Sequence, residues 1–205
     1  MGAKKTMQKP IAIALGRLSM PDEFPVQINE NSGNLIHWHA PVWMFPDHIH
    51  QELLRKFNYN FIKYANKNCS HVILPFADTL RIDDDNDERY IQLARFIDTI
   101  ECPIVVFGLG VGKLSRENVE TARLTIAQAQ LIDTIAQHTP LIGVRGNITA
   151  GIIKRSRPNL ACIPVGCPSI FARPVEVRGA AQVKIDLSSR QPAFAATAFH
   201  QQLVD

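Results

Sequence analysis

The sequence predicts an α/β protein built on a doubly wound, mainly parallel sheet. Strand-like and helix-like runs alternate after about Asn34, which is the order that βαβ units require. Several strand-like runs are almost continuously apolar, as is typical of parallel strands buried on both faces. The chain has 205 residues, of which 46% are apolar and 20% charged. A domain of this size buries a core without disulfides or a structural metal.

The first third of the chain gives the least regular pattern. Met1 to about Asn34 is rich in Pro, Gly, Asn and Met, and we interpret it as an arm leading into a loop. Pro46–Asn66 is predicted to be a helix, because its apolar residues recur at close to helical spacing. His71–Pro75 is predicted to be a short strand.

The middle third continues the alternation. Asp87–Ile100 places its apolar residues on one helical face, with acidic residues at its start, as the helix dipole favours. Pro103–Phe107 is predicted to be a strand buried on both faces. Ser115 is predicted to cap a helix whose apolar stripe, beginning at Val119, continues towards His138.

The remaining elements complete a βαβαβ pattern, with a strand at Leu141–Val144, a helix at Ile148–Lys154 and a strand at Leu160–Val165. In parallel sheets ligands bind in the loops that follow the strands. The candidate loops are Pro75–Arg81, Gly108–Lys113, Arg145–Asn147 and Gly166–Ser169.

The sequence pattern predicts that the chain has three parts. Residues 1–28 form the arm, and residues 29–172 form a Rossmann-like domain. Residues 173–205 are predicted to be a linker followed by the first strand and helix of an incomplete second domain, because one strand and a partial helix cannot bury a core.

Composition excludes several classes of protein. A net charge of +3 and a pI near 8.7 are too mild to indicate nucleic-acid binding, but they are compatible with a small anionic ligand. The sequence contains neither an apolar stretch long enough for a membrane span nor the pattern of a signal peptide. The four cysteines match no zinc module or disulfide framework. We therefore expect a cytoplasmic protein with reduced thiols.

Three motifs resemble ligand sites without meeting their rules. The glycines of Gly108–Gly112 are followed by Lys113, which breaks both the dinucleotide fingerprint and the Walker A pattern. They are interpreted as a tight turn in which a phosphate or a sugar can approach the backbone. The acidic run Asp83–Glu88 lacks the glycine and the glutamate of a calcium loop.

Four histidines fall close together, at His37, His39, His48 and His50. On a strand His37 and His39 would share a face, but no carboxylate or cysteine lies at a regular ligand spacing. We therefore predict no metal site and interpret these residues as the polar wall of a cleft, in which one histidine hydrogen-bonds a ligand.

Four segments together resemble the polysaccharide pyruvyl transferase family. Asn31–Ile36 is similar to its glycine-containing N-terminal loop, and Pro103–Gly112 to its strand leading into a glycine turn. Ile142–Arg145 resembles its "VR" strand end, and Ile163–Phe171 contains a Gly-Cys-Pro-Ser segment, the most specific of the four. The match covers roughly Asn29–Phe171, with the order and spacing in agreement.

The resemblance implies one half of a B-type glycosyltransferase fold, the N-terminal, acceptor-side half. Family members transfer pyruvate from phosphoenolpyruvate to two hydroxyls of a cell-surface polysaccharide, so the implied partners are phosphoenolpyruvate and a glycan or lipid-linked sugar, with no separate cofactor. The resemblance places the donor-binding basic residues and a catalytic histidine mainly in a C-terminal half. We therefore expect this chain alone to be inactive.

Two other functions remain as alternatives. The first is a non-catalytic sugar- or partner-binding module left by truncation. The second is a small nucleotide enzyme, which the broken fingerprint at Lys113 disfavours.

Six residues are predicted to line the acceptor-facing crevice. Asparagine side chains both donate and accept hydrogen bonds, as sugar hydroxyls require, glycines allow close approach of a ligand to the backbone, and an arginine holds negative charge. Arg145 follows a strand directly, and it is expected either in this crevice or in a surface salt bridge. Cys167 is interpreted as a packing residue of the Gly-Cys-Pro turn, with no base beside it. The six residues are Asn31, Gly33, Asn34, Gly110, Arg145 and Ser169.

Overall fold

A computed structural model describes residues 9–15, 33–45, 48–52, 57–82, 86–112 and 114–171. Within these ranges the chain forms strands and helices in alternation. The strands are β1 (Ile11–Leu15), β2 (His48–Glu52), β3 (Val72–Pro75), β4 (Leu80–Arg81), β5 (Ile104–Phe107), β6 (Val111–Gly112), β7 (Ile142–Val144) and β8 (Cys162–Pro164). The α-helices are α1 (Gly33–Met44), α2 (Tyr59–Asn68), α3 (Asp87–Asp98), α4 (Ile126–His138) and α5 (Asn147–Ser156).

The central sheet is parallel and has the strand order β2-β1-β3-β5. Beyond β5 the order continues to β7 and β8, which pair with each other in parallel. A bridge between Leu109 and Val144 joins β7 to the segment after β5. There the Leu109 N–H donates to the Gly143 carbonyl at 3.1 Å, and the Arg145 N–H to the Leu109 carbonyl at 2.8 Å. The chain direction therefore brings the carboxyl ends of these strands to one edge.

Both faces of the central sheet are covered. Ala12, Val72 and Leu74 belong to the main core with the buried residues of α2, α3 and α4. Ile13 and Ile73, the neighbours in β1 and β3, pack instead against Val42 and Phe45, in and just after α1. Successive strand residues point to opposite faces, so α1 covers one face and α2 with α3 the other.

The prediction of a mixed α/β protein with mainly parallel sheets is confirmed, and the architecture is compatible with a Rossmann-like fold. The strands predicted around residues 72, 104, 142 and 162 and the helices predicted from residues 87 and 148 are all present. One detail of the strand prediction is wrong. Val105 in β5 is 44% exposed, so this strand is not buried throughout on both faces.

The arm predicted at the N-terminus contains a strand. Ile11–Leu15 is β1, which lies between β2 and β3. Ile11–Leu15 is a continuous apolar run like β3 and β5, but the Pro, Gly and Lys residues around it led to its assignment to an arm. Pairing on both sides makes it a central strand. The loop expected up to Asn34 also ends earlier, since α1 begins at Gly33.

The helix predicted at Pro46–Asn66 is wrong in its first part. His48–Glu52 forms β2, which pairs with β1 along its whole length, and only α2 is helical. The side chain of Asn58 accepts the Phe61 N–H and caps that helix. Backbone pairing to a buried strand outweighed an apparent helical spacing.

The helix predicted to be capped at Ser115 begins later. Arg116–Asn118 is a single 3-10 turn, and Thr125 caps α4 through a capping box with Gln128. The reciprocal hydrogen bonds of Thr125 and Gln128 satisfy two free N–H groups at the helix start. Their spacing marks the beginning of α4 in the sequence.

Candidate functional site

A polar cluster lies where the carboxyl ends of β3, β5, β7 and β8 meet. Its members are His37, Asp78, Arg145, Cys167 and Ser169, and Gly110 contributes backbone beside them. The strand order changes direction between β1 and β3, because β2 lies on one side of β1 and all later strands of the central sheet lie on the other. Ligands of open α/β sheets bind at such a switch point. We call this group the strand-end cluster.

Cys167 reaches the cluster because the chain turns sharply after β8. Gly166 has a φ of +79°, a left-handed conformation that glycine adopts without strain. The 3-10 helix Pro168–Phe171 follows and packs against α1. This contact brings Cys167 to His37, 130 positions earlier in the sequence.

His37 is held between Cys167 and the end of β3. Its Nδ1 lies 3.2 Å from the Cys167 Sγ, and its Nε2 lies 3.1 Å from the Pro75 carbonyl oxygen. The residue is 1% exposed. A carbonyl only accepts, so Nε2–H donates to Pro75 and Nδ1 is left to take the thiol proton.

The Cys167 thiol has an unusual acidity. Burial raises its pKa, but hydrogen bonds with the His37 side chain and with the side chain and backbone of Ser169 outweigh this effect and lower the pKa from 9.0 to about 6. The Ser169 Oγ donates to Sγ at 2.9 Å. Donors around a sulfur stabilise its thiolate form.

Arg145 follows β7 and lies on the other side of the sulfur. Its Nη1 donates to Asp78 Oδ1 at 2.5 Å, and its Nη2 lies 3.9 Å from the Cys167 Sγ. Its Nε is buried and finds no hydrogen-bond partner among the residues that the structure describes. Of the two predicted alternatives for Arg145, the salt bridge is present, with Asp78 as its partner, and ligand binding by Arg145 stays a prediction.

The predicted site residues are placed as follows. Gly110, Arg145 and Ser169 lie together, and a Cβ added to Gly110 would stand 3.5 Å from the Arg145 Cδ. Gly33 and Asn34 form the first turn of α1, the helix that carries His37. Asn31 lies outside the described residues, as do residues 173–205. Ligand binding by these residues stays a prediction.

One sequence interpretation is wrong at this site. Cys167 is more than a packing residue, since His37 stands beside it. The segment of His37 and His39 is part of helix α1 and not a strand, so the strand geometry considered for a metal site does not apply. Sequence reasoning also missed Asp78. His37 lies in the first helix after β1, and in a parallel α/β protein this position could have identified it from the sequence. The position was not recognised because β1 was assigned to an arm.

A separate cavity of about 330 Å³ lies between α2 and the end of α3. Asn66 lines it and already uses its side chain to hold the backbone of Thr99 and Glu101. These bonds give Asn66 a structural role, because they fasten α2 to the turn after α3.

Two general properties concern the described part of the chain. No group of three or more His, Cys, Asp or Glu side chains there is arranged to hold a metal ion. None of its helices combines the length and the apolarity needed to cross a bilayer. Comparison of the chain with protein-family models, curated proteins and solved structures gives no match.

Proposed function

We propose that this chain is similar to the acceptor-side half of the polysaccharide pyruvyl transferases. The observation that carries the proposal is Arg145, a cation at the carboxyl end of β7 whose buried Nε lacks a partner in the described residues. Although most of the donor-binding residues are expected in the C-terminal half, Arg145 would supply a contact to phosphoenolpyruvate from this half, because a guanidinium binds both its phosphate and its carboxylate through directed hydrogen bonds.

The neighbourhood of Arg145 supports the same chemistry. Transfer of pyruvate to a sugar requires an acid or base near the acceptor hydroxyl, together with a cation that stabilises the negative charge of the donor. His37 is the described histidine that reaches the strand-end cluster. A Cβ added to Gly110 would stand 3.1 Å from the Ala77 carbonyl oxygen and 3.5 Å from the Arg145 Cδ, so the glycine lets the Arg145 side chain lie close to this backbone.

One observation favours the alternative of a non-catalytic sugar-binding module. Asp78 pairs with Arg145, so part of its positive charge is already neutralised. A paired carboxylate and guanidinium offer acceptors and donors to neutral sugar hydroxyls without requiring an anion. In that case the cluster binds a glycan and performs no transfer.

Ligand binding by Arg145→Gln and by a matched control separates these possibilities. Arg157 also pairs with an aspartate, Asp133, at 2.6 Å, so Arg157→Gln loses a comparable ion pair outside the strand-end cluster. We expect Arg145→Gln to weaken binding of phosphoenolpyruvate by about 1–3 kcal/mol, roughly 5- to 150-fold, the cost of a lost charged hydrogen bond. Arg157→Gln should bind as the wild type does.

The measurement is calorimetric titration with phosphoenolpyruvate, with a neutral glycan and with an anionic glycan. Binding of phosphoenolpyruvate that depends on Arg145 supports the transferase proposal. Arg145-dependent binding of glycans without any binding of phosphoenolpyruvate favours the module. Equal binding by Arg145→Gln and wild type would contradict both.

A further inference from the structure

The sulfur of Cys167 lies close to polar groups from three parts of the chain, with the Ser169 hydroxyl and the Arg145 guanidinium as donors and His37 Nδ1 as the acceptor of the thiol proton. Ser169 Oγ lies at 2.9 Å and His37 Nδ1 at 3.2 Å. Arg145 Nη2 lies at 3.9 Å. A neutral thiol is a weak acceptor, whereas a thiolate carries a full charge that such donors stabilise. The pyruvyl transfer proposed above has no use for this thiolate.

His37 is placed to take the proton of the thiol. Its Nε2–H donates to the Pro75 carbonyl, which orients the ring and leaves Nδ1 as the acceptor that faces Sγ. A nucleophile, a base and a group that orients the base form the arrangement that activates a cysteine. These atoms are held in position by the carbonyl at the end of β3, by the packing of α1 against the 3-10 helix Pro168–Phe171, and by the turn after β8.

The other three thiols provide an internal contrast. Burial raises the pKa of Cys69, of Cys102 and of Cys162. Cys162 is half-buried like Cys167, but it lies in β8, before the turn that carries the chain to His37. The contacts with His37 and Ser169, and not burial alone, therefore distinguish the pKa of Cys167 from that of the other three thiols.

The charged groups around the sulfur indicate the ligand. Arg145 faces Sγ with Nη2 and presents a buried Nε without a partner among the described residues. The Asp78 carboxylate is occupied by Nη1 of the same arginine. An incoming molecule with a carboxylate or phosphate can thus be bound by Arg145 while its neighbouring carbon meets the sulfur.

We propose that Cys167 is the nucleophile of a covalent site for small electrophilic acids, with His37 as its base and Arg145 as the anion-binding residue. The thiol proton moves to His37 Nδ1. The sulfur then attacks the electrophilic carbon, so that an S–C bond forms while the bond to the leaving group breaks. The electron pair departs with the leaving group, and His37 can return the proton to it. The inference does not depend on pyruvyl transfer.

Iodoacetate and iodoacetamide test the site in the intact chain. Both form an S–C bond and release iodide, but only iodoacetate carries a carboxylate. Alkylation of each cysteine is followed by peptide mass spectrometry across a pH series, with Cys162 as the internal control. At pH 6 we expect Cys167 to react roughly tenfold or more faster than Cys162, since the larger thiolate fraction outweighs its lower intrinsic nucleophilicity.

The preference for the acid tests Arg145. The iodoacetate-to-iodoacetamide rate ratio at Cys167, divided by the ratio for a free cysteine derivative, should be several-fold above one. Arg145→Gln should return it to one, while Arg157→Gln should leave it unchanged. His37→Gln should move the pH midpoint of the alkylation rate upward, towards the 9.0 of an ordinary thiol. Ser169→Ala, which removes one donor from a 3-10 helix at the surface, should move it in the same direction by less.

Wild-type protein alone can overturn the proposal. A pH midpoint of alkylation near 9, or an alkylation rate at Cys167 no greater than that at Cys162, would contradict the role of Cys167 as a nucleophile. A normalised iodoacetate-to-iodoacetamide rate ratio of one in the wild type would contradict the preference of the site for acids. Circular dichroism on each variant separates loss of reactivity from loss of fold.

Discussion

Replacing Gly143 by alanine tests how closely β7 packs beside β5. A Cβ added to Gly143 would stand 2.4 Å from the Val106 carbonyl oxygen and 3.2 Å from the Val165 Cγ2. Real Cβ contacts are essentially never shorter than 3.0 Å, so the two strands must separate by at least 0.6 Å at this point. The Val106 carbonyl belongs to a strand paired with β3, and it cannot rotate away as a side chain can.

The expected cost follows from this geometry. Overpacking a closely packed interior costs about 1–3 kcal/mol, and a backbone obstacle places Gly143→Ala near the upper end. Alanine also reduces the freedom of the unfolded chain, which offsets about 0.4–1 kcal/mol. We therefore expect Gly143→Ala to lower the free energy of unfolding by about 2 kcal/mol.

Gly146 provides the matched control, since it lies three positions further on and nothing stands within 4 Å of its added Cβ. Its φ of −170° is extended backbone that alanine adopts. Urea unfolding followed by circular dichroism should place Gly146→Ala within about 0.5 kcal/mol of the wild type. Equal stabilities of the two variants would refute the close approach of β7 to β5, and with it the placement of Arg145 in the cluster.

Two further predictions concern titration and helix capping. The pKa of Cys167 is lowered to about 6 on folding, so its thiolate contributes stability that is complete above pH 9 and is lost as the pH falls through 6. Compared with Cys167→Ser, the wild type should gain about 1 kcal/mol in the free energy of unfolding between pH 6 and 8. This is roughly half the full linkage value, because the thiol keeps some solvent contact. Urea unfolding at each pH measures this gain, and parallel stability curves for the two proteins would contradict it. Thr125→Ala removes the capping box of α4 and should lower the free energy of unfolding, measured by heat or urea, by about 1–2 kcal/mol. Thr134→Ala lies within the same helix, where the hydroxyl only donates back to the Gln130 carbonyl, and should be close to neutral. A smaller loss for Thr125→Ala than for Thr134→Ala would argue against the cap.

Elements with strong local signals were predictable from the sequence. Helix α3 has acidic residues in its first turn and an apolar face that is buried in the structure. Strands β3 and β5 are continuous apolar runs. Parallel pairing then follows from the alternation of strands and helices. The position of Arg145 directly after a strand was also enough to place it at the carboxyl edge of the sheet.

Other elements depended on partners distant in the sequence. β2 has a single apolar residue and becomes a strand through its pairing with β1, whereas β1 is an apolar run that its flanking Pro and Gly residues concealed, so both were assigned wrongly. The same error concealed the base beside the candidate nucleophile, because the helix α1 that carries His37 was not predicted while β1 was assigned to an arm. The acidity of Cys167 arises from His37, 130 positions away, and from the turn at Gly166. Local sequence determined which segments are helices or strands where burial is periodic, whereas the tertiary fold alone decided which thiol meets a base, since that contact depends on packing between α1 and the chain after β8.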